Sequence, residues 1–500
     1  MAAETYAAAW WGRLPGMDHH HWRHAYDHAR WHTHARWRSP APFEEPELVA
    51  VLIARALTWI AAEEYGWAWP TREDVASIPW RRVAQRLAPS QAIRDLARTS
   101  APGEDEPGST EHAELVERVR QHLDQRVAAA RLEAPLEGTG EVYRGWYELL
   151  GQAQAVVRDI ARPLSGDTPL RVMTYNLHDC GATAGQTYLQ HLEHLAEVIA
   201  LGDPDFLAVQ EIAHPDAVHD LARITGLSCC WRPAQHLTDG RVLPEVDTLA
   251  PAGGRQEATY HVALLWRDTM IWPVGGTWRS YGSEMWHTLG IGEFEVGDRH
   301  LRIGSYHGPP VRQRQRADEA ERVANAMLKP HGYAPATVVG ADWNGLSADR
   351  MRDEQGQWRF HHPDPYPTQP WHPAYIHQCN WQAGEDGLPS AWHADRTPGE
   401  TLWAAGIRDT AALAGPHTPV TTVGHDKRDP HPARAIDTWR VNAAAAPAVL
   451  SHQVVASEAA QAASDHLPVV VELDRSQLPH SRTTQWRSYD NRTGPETADF

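Results

Sequence analysis

From Leu170 onward the sequence predicts an α/β layered fold, preceded by a mostly α-helical region. Three observations carry this reading. Short apolar runs alternate with helical periodicity between Leu170 and Leu473, the pattern of strands layered with helices. In roughly the first 165 residues, apolar side chains recur at helical spacing instead. The apolar runs of the second region end in acids, amides and imidazoles, a placement that turn chemistry alone does not explain.

In chain order, residues 1–45 hold a dense His/Trp/Arg segment. His20, His24, His28 and His32 lie four apart, so a helix would align them in a stripe. The stripe suits metal binding, base stacking beside Arg23, Arg30, Arg36 and Arg38, or plain docking on the next helix. Glu47 to Tyr65 reads as a buried helix, with Leu48, Val51, Leu52, Ala56 and Ile60 on one face. Thr71 starts a further short helix, with Asp74 three residues on. The polar, Pro/Gly-rich stretch 101–110 is a linker or loop, and helical patterns follow over 111–132 and 141–161. The expectation for 1–165 is a helical region open to a targeting or partner-binding role.

The pattern changes at Leu170. Leu170 to Tyr175 is a strand ending at Asn176, and a helix follows with Leu189, Leu192, Leu195 and Ile199 on one face. Asp205 to Gln210 is the next strand, ending at Glu211; Val262 to Trp266 and Leu301 to Tyr306 follow, the latter ending at His307. A helix spans 313–329. Thr337 to Ala341 is a buried strand that runs into Asp342-Trp343-Asn344, where the acid and the amide, two apart, would project together from an extended backbone. Ala435 to Val441 and Pro468 to Leu473 complete the set. Residues 345–400, rich in Trp, Pro and His with few apolar runs, read as a long inserted loop. The tail 475–500 is polar and expected to fray.

Composition narrows the class. A 42% hydrophobic and 22% charged chain of 500 residues has material for a large core and two or three domains. The net charge of -18 argues against broad, charge-driven nucleic-acid binding but leaves room for a local basic groove. Cys180, Cys229, Cys230 and Cys379 form neither a disulfide framework nor a zinc pattern. The longest greasy run, Leu48 to Ala62, is too short to span a membrane and contains Arg55. No signal pattern opens the chain, so the cytoplasm is the simplest location.

The strand-end residues now stand in order: Tyr175-Asn176, Gln210-Glu211, Tyr306-His307, Gly340-Ala341-Asp342-Trp343-Asn344, Ile436-Asp437 and Ser464-Asp465-His466-Leu467-Pro468. This series resembles the endonuclease/exonuclease/phosphatase (DNase I-like) superfamily over about residues 168–474. Two departures stand out: the family's Gly-Asp-Phe-Asn appears with an extra Ala341 and with Trp343 for Phe, and Ala435-Ile436-Asp437 lacks the usual Arg or Tyr. The resemblance implies a four-layer αββα sandwich, with 166–474 as the catalytic domain and the site at one rim. It also implies Mg²⁺- or Mn²⁺-dependent hydrolysis of a phosphoester.

Under that resemblance the residues take roles. Hard cations take oxygen ligands, and Mg²⁺ needs only one or two carboxylates. Glu211 is the first expected ligand, with Asn176 beside it and Asp465 completing the shell. His466 would orient or deprotonate the attacking water, or bind phosphate as imidazolium, with Asp437 holding its other nitrogen. His307 would donate to a phosphoryl oxygen or the leaving group. Asp342 would position the water, and Asn344 would donate to the phosphate. The substrate expectation is a nucleic acid, DNA or RNA; the alternative is a small-molecule or lipid-headgroup phosphate ester. Arg312, Arg314 and Arg316 would line one side of an extended loop and meet phosphates, or scatter if a helix starts at Pro309-Pro310, where Arg316 could pair with Glu319.

Overall fold

The computed structural model describes residues 168–480, apart from 184, 233–234, 237–241, 244–245, 254–259, 269–270, 329–334, 354 and 416–419. The helical expectations for 1–165, the His stripe and most of the polar tail lie outside the described residues. The described residues of Ser165–Val198, Pro204–His219 and Ser228–Phe500 form one compact unit, and every residue of the site below belongs to it.

Near-continuous apolar runs, buried on both faces, build the strands of the two main sheets. In chain order they are β1 (Leu170–Cys180), β2 (Phe206–Ile212), β3 (Leu249–Ala250), β4 (His261–Trp266), β5 (Ile271–Pro273), β6 (Arg279–Ser280), β7 (Thr288–Val296) and β8 (Arg299–His307). After these come β9 (Thr337–Asp342), β10 (Arg408–Asp409), β11 (Asp437–Val441), β12 (Val449–Val454) and β13 (Val469–Leu473). The longer helices are α1 (Gly185–Gly202), α2 (Asp216–Thr225), α3 (Gln313–Leu328) and α4 (Thr397–Ala404). One mixed sheet runs β12-β13-β1-β2-β4-β3, and the second runs β6-β7-β8-β9-β11-β10 with β5 added on β7. Only β1/β2 and β8/β9 are parallel neighbours among these pairs; each is joined through a helix, as parallel pairing requires. The architecture is the αββα sandwich: two sheets face to face, flanked by helices. No described helix is long and apolar enough to cross a membrane.

The two sheets touch through rings and through one close approach. Phe206 and Trp266 from the first sheet meet Phe294 from the second, edge to face, at centroid distances of 5.0 Å each. At Gly340, a Cβ would stand 2.8 Å from the Trp439 ring and 2.9 Å from Cβ of Thr174 on the first sheet. Gly340 therefore sets the sheet spacing directly beneath Asp342. Gly340→Val is expected to destabilise the fold by about 1–3 kcal/mol through overpacking, read as a lower urea midpoint at unchanged slope.

A buried polar seam runs beside it. Gln210 Nε2 donates to Ser305 Oγ across the sheets at 2.9 Å, and Ser305 Oγ donates to the Val209 carbonyl at 2.9 Å. On the outer face of the second sheet, Ala320, Val323, Ala324 and Met327 of α3 pack with Val339, Ala341, Trp343 and Leu402.

Three sequence expectations change. Thr288–Val296, not read as a strand, is a fully buried one. Its Gly290 and Gly292 leave room for the Trp278 and Trp231 rings, and these glycines, with Glu293 and Glu295, hide the strand signal. The 345–400 insertion is not a structureless loop. It carries two hairpins, at Arg350–Phe360 and Cys379–Ala394, and its Leu346, Tyr366, Tyr375, Cys379 and Ala394 share a core with Val423 and Ile436. The tail stays on the body through His480: Leu478 is buried, and its carbonyl accepts from Arg299 Nη1 at 3.0 Å.

Candidate active site

Strand periodicity assembles the site. Side chains two apart share a sheet face, so Gly340, which faces the first sheet, puts Asp342 on the same inner face. Ser305 does the same for His307, Trp439 for Asp437, and Thr174 for Asn176. His307 pairs with Asp342 in the parallel register and Asp342 with Asp437 in the antiparallel one. Three neighbouring strands thus deliver an imidazole and two carboxylates in one row, and Asn176 faces them from the other sheet.

Glu211 has the wrong parity for this face, and its backbone corrects it. Its φ of 58° lies in the left-handed region, and the ladders of β1 with β2 and of β2 with β4 shift register around it. Such strain in a non-glycine residue marks functional positions. The turned carboxylate accepts from Asn176 Nδ2 at 3.0 Å and from the Asp179 backbone N–H at 3.2 Å.

The centre of the arrangement is Asp342 Oδ2. Asn176 Nδ2 donates to it at 3.1 Å and Asn344 Nδ2 at 3.3 Å; His307 Nε2 lies 3.5 Å away and His466 Nε2 3.8 Å away. His466 is held from behind by Asp437, whose oxygens lie 3.0 and 2.9 Å from Nδ1. Thr422 Oγ1 donates to Asp437 at 2.6 Å. Ser464 Oγ ties the His466 backbone N–H, at 3.1 Å, to the Asn176 carbonyl, at 2.8 Å.

Electrostatics follow from this packing. Burial pushes Asp342 up, but the His466 charge, the His307 contact and the Asn344 N–H outweigh it and hold the carboxyl at about 2. Burial opposes charge on His466, yet Asp437 and Asp342 overcome it, so the imidazolium persists well above the usual range.

The structure places each expected residue. Asn176, Glu211, His307, Asp342, Asp437 and His466 come together. Glu211, His307 and Asp342 can offer ligand atoms within 4.8 Å of one another, as can Asp342, Asp437 and His466. Asn344 is near but differently employed. Its φ of 49° ends the extended backbone, and its amide donates to the Gly308 carbonyl at 3.0 Å. It braces Asp342 and is not aimed outward to donate to a phosphate. Asp465 is likewise diverted from the expected ligand shell: its carboxylate lies 2.8 Å from His178 Nδ1. Burial raises Asp465, but His178 and His466 outweigh burial and hold it at about 2.

The Arg series takes the helical alternative. Arg316 is buried against Asp395 at 3.6 Å, not paired with Glu319, and Arg312 lies over the Trp286 ring at 5.0 Å. Thr422, His178 and His287 enter the site region unannounced, and Ser464, present in the sequence motif, gains a role as a backbone tie. Thr422 carries no sequence signal, whereas His178 follows Asn176 so closely that the strand-end pattern could have included it.

No family model and no curated relative matches the chain. Truncated Caenorhabditis elegans TDP2 matches at TM-score 0.37 and 15% identity, over 61% of this chain and 98% of that one. The fold is similar to that of endonuclease/exonuclease/phosphatase proteins. One of these, from Bacteroides thetaiotaomicron, matches at TM-score 0.39 and 16% identity over 62% of this chain and 98% of that one. A mannosyl-6-phosphatase of Bacteroides thetaiotaomicron matches at TM-score 0.38 and 15% identity over 61% and 99%. At such scores the likeness adds nothing to what the side chains show.

Proposed function

We propose that this chain is a divalent-metal-dependent phosphoesterase of the endonuclease/exonuclease/phosphatase type, hydrolysing phosphodiester bonds of nucleic acid. The observation that carries the reading is the convergence on Asp342 Oδ2 of two imidazoles and two amides drawn from both sheets.

The donor set fits a hard cation. Glu211 and Asp342 are two carboxylates bridged by one shared amide, Asn176 Nδ2, and such paired oxygens are the donor type that a hard cation takes. Glu211 and Asp342 would hold Mg²⁺ or Mn²⁺, with the Asn176 side-chain amide beside them. A bound cation supplies charge neutralisation at the phosphoryl oxygens.

The protein's own residues do the rest. Asp437 fixes His466 through Nδ1 and leaves Nε2 directed at the reaction centre. The 3.5 and 3.8 Å separations of the imidazoles from Asp342 are too long for good hydrogen bonds, so both Nε2 atoms are free to turn to a water or a phosphoryl oxygen. Asp342, kept ionised and braced by Asn344, orients the attacking water.

Support for a nucleic acid comes from the insertion. Trp371 stands 6.2 Å from exposed Trp381 and 5.4 Å from Trp392, ring to ring, a surface suited to base stacking. Its Tyr375 stacks on His431, in the same loop as exposed Lys427 and Arg428.

The test is incubation of purified protein with plasmid, single-stranded DNA and RNA, in Mg²⁺ or in EDTA. Strand cleavage in Mg²⁺ that EDTA abolishes is the expected result. Release of phosphate from small monoesters with no strand cleavage would instead favour a small-molecule phosphatase. No hydrolysis of any ester would overturn the reading.

A further inference from the structure

One buried titratable ring near the site has no part in the chemistry above. His287 is 1% exposed and precedes Thr288, the residue that opposes His307 in the β7–β8 hairpin. Its ring lies parallel to that of His307, with centroids 3.8 Å apart and an interplanar angle of 2°. Tyr260 lies beside both rings, 5.7 Å from His287 at 21° and 6.3 Å from His307 at 19°.

His287 is fixed on several sides. The Tyr260 backbone N–H donates to its Nδ1 at 2.9 Å, so the ring's proton sits on Nε2. The preceding residue is anchored too, because the Trp286 N–H donates to buried Glu319 at 2.6 Å. Nε2 itself is buried and has no hydrogen-bond partner. An unsatisfied buried N–H is costly, and no hydrogen bond made by Nε2 offsets that cost.

His307 is held much less firmly. Its Nδ1 is buried and without a hydrogen-bond partner, and Nε2 stands 3.5 Å from Asp342, beyond a good hydrogen bond. The face-to-face contact with His287 at 3.8 Å is the nearest of its ring contacts, Tyr260 standing farther off at 6.3 Å. We propose that His287 is a positioning residue: its ring, pinned by Tyr260, holds the His307 imidazole in the plane that directs Nε2 to the reacting phosphate. The proposal deepens the phosphoesterase reading and rests on it.

Two substitutions separate a flat ring from a particular nitrogen. His287→Ala removes the stack, and His287→Phe keeps it. On bis(p-nitrophenyl) phosphate with Mg²⁺, His287→Ala is expected to lower kcat about 30-fold with KM little changed, because misplacing a catalytic group acts on turnover. His287→Phe should recover kcat to within about 3-fold of the parent, since orientation and not hydrogen bonding is what it retains. A parent-like kcat in the Ala variant would overturn the proposal, and so would equal losses in both variants that track a fall in Tm.

Crystal structures of the two variants give a readout that needs no turnover. The His307 ring should keep its approach to Asp342 in the Phe variant and lose it in the Ala variant; an unmoved His307 in the Ala variant contradicts the proposal. If the parent protein hydrolyses no phosphoester, the functional reading fails, and the structures still decide whether His287 sets the ring.

Discussion

Asp342→Asn is expected to lower kcat by about 10³-fold or more, the scale seen when a group acting in the transition state is removed. The carboxylate is where the contacts of both sheets meet, and the substitution changes most of them at once. An asparagine oxygen can still accept from the Asn344 backbone N–H, which donates to Asp342 at 2.9 Å. The new amide nitrogen then faces Asn176 Nδ2, donor against donor, where a 3.1 Å hydrogen bond now stands. That mismatch should cost about 1–3 kcal/mol of stability, a small part of the catalytic loss. Steady-state kinetics on a phosphodiester, with urea unfolding of the same sample, separates the two. A rate near that of the parent would show that Asp342 does not orient the nucleophile.

His466→Gln should lower kcat by about 10²–10⁴-fold, the range for loss of a general acid or base. Asp437→Asn should lower it too, and the double variant should be little worse than His466→Gln alone, since residues acting as one unit are not additive. The pH dependence has a definite sign. The folded-state pKa of His466 lies above its unfolded value, with burial overcome by Asp437 and Asp342. Its stabilisation is therefore full below the unfolded value of about 6.5 and is lost as pH rises through the folded value. The stability gap between the parent and His466→Gln should be widest at or below neutral pH and narrow in alkali. In Asp437→Asn the alkaline limb of the pH–rate profile should move to lower pH. A limb that stays in place would contradict the coupling of Asp437 to His466.

The sandwich was legible because buried strands such as Thr337–Asp342 read as apolar runs ending in a polar residue, and period-two alternation then fixes which face the last side chain takes. That rule is why Asn176, His307, Asp342 and Asp437 could be singled out from sequence and are found together. It fails where the backbone leaves the extended region. Asn344 shares parity with Asp342, but its φ of 49° turns the amide back onto Gly308. Glu211 shows the converse: its parity is wrong for the site, and a φ of 58° restores it. The β7 strand carries no plain sequence signal because Gly290 and Gly292 make room for the Trp278 and Trp231 rings beside them, a tertiary demand with no local trace. His287 is hidden with it, since its stacking partner is reached only through the β7–β8 hairpin register. The insertion looked structureless because its core depends on Tyr366 and Tyr375 meeting Val423 and Ile436 from elsewhere in the chain.

Side chains from both sheets meet at Glu211 and Asp342 in a set that would hold one divalent cation. Anomalous scattering from crystals grown with Mn²⁺ tests it most directly. A single strong peak in contact with the Glu211 and Asp342 carboxylates is the expected result. A peak elsewhere with none at Glu211, in crystals of an active protein, would contradict it.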